Sequence, residues 1–113
     1  MKVAIVGSRS LVVLHLEDYL PAGITEIVSG GAVGVDTCAK RYAQAHGIAL
    51  KEFLPDYQTW GRRAPLVRNL QIIDYADMVV AFWDQSSHGT KFVIDHARRA
   101  GKKVIVYCPS PQK

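Results

Sequence analysis

Cysteine is scarce in this sequence, and long apolar runs and blocks of like charge are absent. The two cysteines, Cys38 and Cys108, are too few for a disulfide framework, so we expect reduced thiols and a cytoplasmic protein. No apolar run reaches the roughly 18 residues of a membrane span, and the first residues predict a strand rather than a signal peptide, so no membrane partner is expected. No run of about five like charges occurs, which disfavours a histone-like or tail-type nucleic-acid binder.

Motifs of several common enzyme classes are also missing. No Gly-x-x-x-x-Gly-Lys-Ser/Thr segment occurs, which excludes a P-loop kinase or ATPase. The turn at residues 7–12 lacks the second and third glycines of the dinucleotide fingerprint, which disfavours an NAD dehydrogenase. No Gly-x-Ser-x-Gly elbow of a serine hydrolase is present. The histidines have no metal-ligand spacing to one another or to a cysteine, so we expect no structural zinc or other metal site. No cofactor is predicted either.

Length and charge limit the architecture and the class of partner. The 113 residues are 49% hydrophobic, which suits one domain with a single core. We assign residues 1–108 to this domain and residues 109–113, which include two prolines, to a short tail. Lysine and arginine total 14 against 10 acidic residues, and the resulting charge of +4 favours an anionic partner.

Short β-branched and aromatic runs alternate with segments of helical period along the chain. Strands are predicted at residues 3–6, 26–29, 49–53, 78–82 and 103–107. Helices are predicted at residues 10–20, 33–46, 64–75 and 89–100. This alternation favours right-handed crossovers and therefore a single doubly wound, Rossmann-like α/β domain. Its five-stranded parallel sheet is predicted in the order 3-2-1-4-5, with helices on both faces.

Small polar residues follow three of the predicted strands, at the edge where doubly wound sheets bind ligands. These loops contain Gly7, Ser8, Arg9, Ser29, Gly30, Gly31, Gly34, Gly89 and Thr90. Glycine-rich loops that enter helices expose backbone N–H groups at the positive end of the helix dipole, and arginine adds a forked cation. Each glycine alone is as well explained by a tight turn, but three such loops on one rim favour a phosphate or carboxylate site.

Four further residues are candidates for the same rim. Asp36, in the first turn of the second predicted helix, either binds a ribose hydroxyl or braces the glycine loop, and we favour bracing. Arg68 and Asn69 either form a solvated helix face or reach a phosphate and a loop across the rim. Trp83 either stacks on a base or packs against the fold. The residues alone leave these alternatives open.

Five short segments, in order along the chain, carry a family resemblance. They are Val-Gly-Ser-Arg at 6–9, Ser-Gly-Gly-Ala-x-Gly-Val-Asp at 29–36, Arg-Asn at 68–69, Ala-Asp at 76–77 and Gly-Thr at 89–90. Together they resemble the SLOG superfamily of Rossmann-like domains, which includes the DNA-processing protein DprA/Smf and the LOG phosphoribohydrolases. The resemblance covers nearly the whole chain, and residues 55–69 are especially similar to small stand-alone members of unknown function.

The resemblance implies that a nucleotide or a nucleotide derivative binds at the rim. By motif, it implies a pocket lined by Gly7, Ser8, Arg9, Ser29, Gly30, Gly31, Gly34 and Asp36, closed on one side by Arg68 and Asn69, with Gly89 and Thr90 on a phosphate. Trp83 is the candidate for contact with the base.

The sequence departs from the LOG hydrolases after the fourth strand. Their Pro-Gly-Gly-x-Gly-Thr motif and its downstream glutamates are replaced by Asp-Gln-Ser-Ser-His-Gly-Thr at 84–90, and the next acid is Asp95. Cleavage of an N-glycosidic bond needs a positioned carboxylate, so no catalytic residue is assigned, and Asp36 or Asp95 would have to serve by another geometry.

Four hypotheses follow from these observations. The favoured one is a module that binds or senses a nucleotide. The alternatives are LOG-like hydrolysis of nucleoside 5′-monophosphates, DprA-like binding of single-stranded DNA, and a scaffold without a small ligand. Apolar positions on the first and third predicted helices leave a homodimer and a monomer open.

Overall fold

One all-parallel sheet organises the chain. In this computed structural model its strands are β1 (Lys2–Gly7), β2 (Glu26–Ser29), β3 (Ala49–Glu52), β4 (Met78–Phe82) and β5 (Lys103–Tyr107). Their order is β3-β2-β1-β4-β5, which confirms the predicted topology. The structure describes residues 1–31 and 34–109. Residue 33, where the second helix was predicted to begin, and residues 110–113 of the predicted tail lie outside the described residues.

The helices cover both faces of the sheet, as predicted. They are α1 (Val35–Ala45), α2 (Tyr57–Trp60), α3 (Ala64–Tyr75) and α4 (His88–Arg99), with 3-10 turns at Leu16–Asp18 and Gly61–Arg63. Helix α1 packs on one face, and α3 and α4 pack on the other. Within the described part of the chain, no helix combines the length and the apolar content that crossing a bilayer requires.

The sheet separates two apolar clusters. Because successive strand residues point to opposite faces, Val3 and Ile5 of β1 pack towards α1, whereas Ala4 packs towards α3 and α4. Every residue of β4 is buried. A central parallel strand that is covered on both faces needs a continuous apolar run, which is why β1 and β4 were recognisable in the sequence.

The predicted helix at residues 10–20 is wrong. Only Leu16–Asp18 forms a helical turn, and the preceding residues run across the sheet as an irregular segment. Leu11 and Val13 are buried while Leu14 is exposed, which is the alternation of extended chain rather than a helical stripe. Ser10, the residue that would cap such a helix, donates its hydroxyl to Asp84 Oδ2 at 2.9 Å instead.

The strand register places the turns after β1 and β4 side by side. Gly7 pairs with Phe82, and the Ser8 N–H donates to the Phe82 carbonyl at 3.0 Å. The chain order reverses between these two strands, since β2 lies on one side of β1 and β4 lies on the other. Doubly wound sheets open a crevice at such a reversal, beyond the carboxyl ends of the strands.

Candidate functional site

A cavity of about 470 Å³ lies at this reversal point. Its volume falls within the range of roughly 300–1,000 Å³ that is typical of sites for small ligands. Its walls come from the turn after β1, the loop after β2 with the start of α1, one face of α3, and the loop that leads into α4. The cavity therefore depends on segments that are distant in the sequence and adjacent only in the folded sheet.

Most of the residues that the sequence singled out line this cavity. They are Gly7, Arg9, Gly30, Asp36, Arg68, Asn69, Gly89 and Thr90. Of the two residues predicted to reach across the rim, Arg68 contacts the glycine loop at Gly30, and Asn69 accepts a hydrogen bond from Arg68. Contact of any of these residues with a ligand stays a prediction.

Two predicted serines face inward and brace the loops. Ser8 is 1% exposed, and its hydroxyl accepts the Asp84 N–H at 3.2 Å and lies 3.4 Å from Thr90 Oγ1. Ser29 is fully buried and accepts the Gly31 N–H at 3.3 Å. Because both hydroxyl groups have partners within the protein, their position favours a structural role.

The structure places three other predicted residues outside the cavity lining. Gly34 has φ of +81°, and a Cβ there would come within 2.9 Å of the Arg9 carbonyl oxygen, so glycine allows the two loops to meet. Gly31 is exposed, on the side of the loop near Leu54. The indole N–H of Trp83 donates to the Ser87 carbonyl at 3.0 Å, and its ring packs against the α3–α4 cluster, which agrees with the packing alternative.

Arg68 spans the cavity from α3 to the glycine loop. Its Nη1 donates to the Gly30 carbonyl at 2.8 Å, and its Nε donates to Asn69 Oδ1 at 2.9 Å. A guanidinium has five N–H donors, so these two bonds leave three for other partners. Burial lowers the pKa of Arg68, the nearby carboxylate of Asp36 raises it, and the like charge of Arg9 lowers it. Arg68 nevertheless stays charged at neutral pH.

Asp84 connects the loop after β1 to the loop after β4. The sequence analysis did not predict this role. Its Oδ1 accepts the N–H groups of Ser86 and Ser87 at 2.9 and 2.7 Å, and its Oδ2 accepts the Ser10 hydroxyl at 2.9 Å. The two backbone N–H groups are the main reason that its pKa lies far below the ordinary value. An aspartate followed at two and three residues by serine is a turn signal that predicts the first two bonds.

The cavity combines two cations with two anions. Its lining includes Arg9 and Arg68 together with Asp36 and Asp84. The charge of Asp84 is already satisfied by its three hydrogen bonds, and Asp36 is buried beside Arg68. The side chain of Arg9 is exposed. The guanidinium of Arg9 is therefore the positive charge most available to a ligand. The unused N–H donors of Arg68 are available beside it.

Most of the remaining lining is apolar. Ser10 and Ser87 are its polar members, and the apolar ones lie on the sides formed by β1, α3 and α4, namely Val6, Pro65, Leu66, Ile72 and Val93. A positively charged subsite next to an apolar wall suits a ligand with a negatively charged group on a flat or apolar body. Among residues 1–31 and 34–109, no three or more His, Cys, Asp or Glu side chains are grouped so as to hold a metal ion.

Strand order, crossovers and the crevice position define this protein as a Rossmann-like α/β domain with a ligand-sized cavity at its topological reversal. Comparison with models of protein families then identifies the family. The model "YAcAr: YspA, cpYpsA-related SLOG family" matches residues 1–60. The chain belongs to this SLOG family, and the predicted superfamily is confirmed.

Comparisons with curated proteins and with solved structures gave no match. The specific likeness to DprA and to the LOG hydrolases therefore stays a prediction. Membership of the SLOG family indicates a ligand related to nucleotides, without identifying the ligand or where it binds.

Proposed function

We propose that the cavity binds one nucleotide, with its phosphate between Arg9 and Arg68 and its base on the apolar wall. The observation that carries the proposal is the pair of arginines in one cavity beside the first turn of α4. Their mutual repulsion, which contributes to the lowered pKa of Arg68, would be relieved by an anion between them. We further propose a cytoplasmic location, where free thiols such as those of Cys38 and Cys108 stay reduced.

The start of α4 supports the phosphate position. Within the described residues, the Ser87 hydroxyl donates to Thr90 Oγ1 at 3.4 Å and caps no backbone N–H group of α4. The first-turn N–H groups at Gly89 and Thr90, two residues of the cavity lining, are therefore not capped by the Ser87 side chain. The helix dipole adds a partial positive charge at the same place. Phosphate oxygens match both the N–H groups and the guanidinium fork.

The test is a thermal-shift screen with nucleoside mono-, di- and triphosphates, NAD and ADP-ribose, followed by calorimetry on the compounds that stabilise the protein. A ligand at 100 times its dissociation constant should add about 2.7 kcal/mol of stability. Arg68→Ala should lower the affinity for the best ligand by about 10- to 100-fold, because charge-assisted hydrogen bonds are lost. Arg99→Ala, which removes an exposed arginine at the far end of α4, is the matched control and should change nothing. If no compound raises the melting temperature, the proposal fails.

A second candidate is hydrolysis of nucleoside 5′-monophosphates, because Asp36 places a buried carboxylate in the cavity. Asp95, the other acid considered from the sequence, pairs with Lys91 at 3.0 Å and lies outside the lining. Chromatography of the same samples would detect the released base. Product that forms with the wild type and disappears with Asp36→Asn would establish an enzyme, whereas binding without product would establish a binding module.

A further inference from the structure

A short exposed surface lies beside the cavity, formed by Tyr57 and Trp60 of α2 and by Arg62 and Arg63 of the following 3-10 turn. We call these four residues the ledge. Tyr57 is 59% exposed and Trp60 is 45% exposed. Residues three apart in a helix lie on the same side, so both side chains leave α2 in a similar direction. Among the described residues, neither ring stacks on another aromatic side chain.

The ledge is held in place although α2 buries none of its own residues. The Asp56 carboxylate accepts the Thr59 N–H at 3.2 Å and the Thr59 hydroxyl at 2.6 Å, which caps the helix. Gly61, with φ of +56°, ends it and turns the chain towards α3. The rings are therefore presented to solvent on a fixed backbone, which lowers the entropy cost of stacking on them.

The ledge is next to the cavity lining along the chain. The chain runs from Arg63 into α3, where Pro65 and Leu66 already line the cavity. Tyr57 is also close enough to Arg68 that the phenolate form of Tyr57 would raise the pKa of Arg68. A ligand that fills the cavity and extends past Leu66 would therefore meet the ledge.

The charge of the ledge matches a phosphate. Arg62 and Arg63 are exposed, and neither forms an ion pair within the described residues. Exposed aromatic rings next to unpaired arginines are the combination that binds bases by stacking and their phosphates by charge. Two copies of this chain that met symmetrically through the ledge would bring these like charges together, which disfavours a second copy as its occupant.

We propose that the ledge binds the second nucleotide of a linear dinucleotide whose first nucleotide occupies the cavity. This inference rests on the proposed function and specifies its ligand class. The second base stacks on Trp60 and Tyr57, and the linking phosphate lies near Arg62 and Arg63.

The test compares calorimetric affinities for AMP, GMP, CMP and UMP with those for the matching 5′-phosphorylated dinucleotides. The dinucleotide of the best base should bind about tenfold tighter than its mononucleotide, as expected for one stacked base. Trp60→Ala should remove that gain and leave the mononucleotide affinity within about twofold, and Trp60→Phe should restore part of the gain. Leu14→Ala, which shortens an exposed apolar side chain in the segment after β1, is the control and should alter neither affinity.

Three results would overturn the inference. The first is a dinucleotide that binds no better than its mononucleotide, which would leave the proposed function standing. The second is an eight-residue single strand that binds more than tenfold tighter than the dinucleotide with a steep salt dependence, which would indicate a longer nucleic-acid track. The third is a wild-type dimer in sedimentation that Trp60→Ala dissociates. If neither these mononucleotides nor any compound of the thermal-shift screen binds, the proposed function itself is refuted instead.

Discussion

Replacing Gly30 by alanine tests how Arg68 is held. A Cβ at Gly30 would lie 2.6 Å from Arg68 Nη1 and 3.0 Å from Cζ, closer than unbonded atoms approach. Gly30 does not need a positive φ, so alanine fits its backbone. The flexible guanidinium should move away and lose its 2.8 Å hydrogen bond to the Gly30 carbonyl.

The size of the effect follows from two opposing contributions. Loss of a hydrogen bond to a charged donor lowers the free energy of unfolding by about 1.5 kcal/mol or more. The lower value applies here because Arg68 is only half-buried. Alanine restricts the unfolded chain and returns about 0.5 kcal/mol. The free energy of unfolding should therefore fall by about 1 kcal/mol, which lowers the melting temperature by about 4 °C in a chain of this size.

A double-mutant cycle makes the test specific to the Gly30–Arg68 contact. In an Arg68→Ala background the steric conflict is gone, so Gly30→Ala should become neutral or stabilising by up to about 1 kcal/mol. Urea denaturation of the wild type, both single variants and the double variant gives the four free energies. An equal loss from Gly30→Ala in both backgrounds would refute the proposed contact.

Three other substitutions have defined outcomes. Gly7→Ala places a Cβ within 2.5 Å of the buried Val35 side chain, so urea denaturation should show a loss of about 1–3 kcal/mol from overpacking. A Cβ added at Gly89 would have no other atom within 4 Å, and the residue lies in a helix, so the melting temperature of the Gly89→Ala variant should equal or exceed that of the wild type. Asp84→Asn should be destabilising above pH 3.8, the ordinary aspartate value, and the difference from the wild type should shrink as pH falls through the depressed folded-state pKa, as measured by denaturation across pH. A pH-independent difference would contradict the hydrogen bonds to the Asp84 carboxylate.

The fold could be predicted because the sequence patterns that indicate its strands are local. Central parallel strands are covered on both faces and therefore need a continuous apolar run. The runs of β1 and β4 meet this requirement, which few other structures have. The error at residues 10–20 arose because apolar content alone does not distinguish a helix from an extended chain that covers a sheet. The deciding contact, from Ser10 to Asp84, joins residues far apart in the sequence.

The candidate site was readable only in part. Glycine loops and arginines after the strands pointed to the edge of the sheet where the cavity lies, because topology alone brings those positions together. Which side chains turn inward depends on tertiary hydrogen bonds, and this is why the inward orientation of Ser8 was not foreseen. The bonds from Asp84 to the loop after β1 could not be predicted, because those two partners precede it by more than seventy residues.

The central place of β1 also has a kinetic consequence. Val3 pairs with Ile27 on one side and with Met78 on the other, so the sheet cannot form around β1 until distant parts of the chain meet. Closing such long loops slows folding relative to a helical bundle of similar length. The loops after β1 and β4 approach each other only when this pairing exists, so the cavity is absent from any folding intermediate without it. During synthesis, one edge of an apolar strand stays unpaired until β4 follows, and that interval is when this chain is most exposed to aggregation.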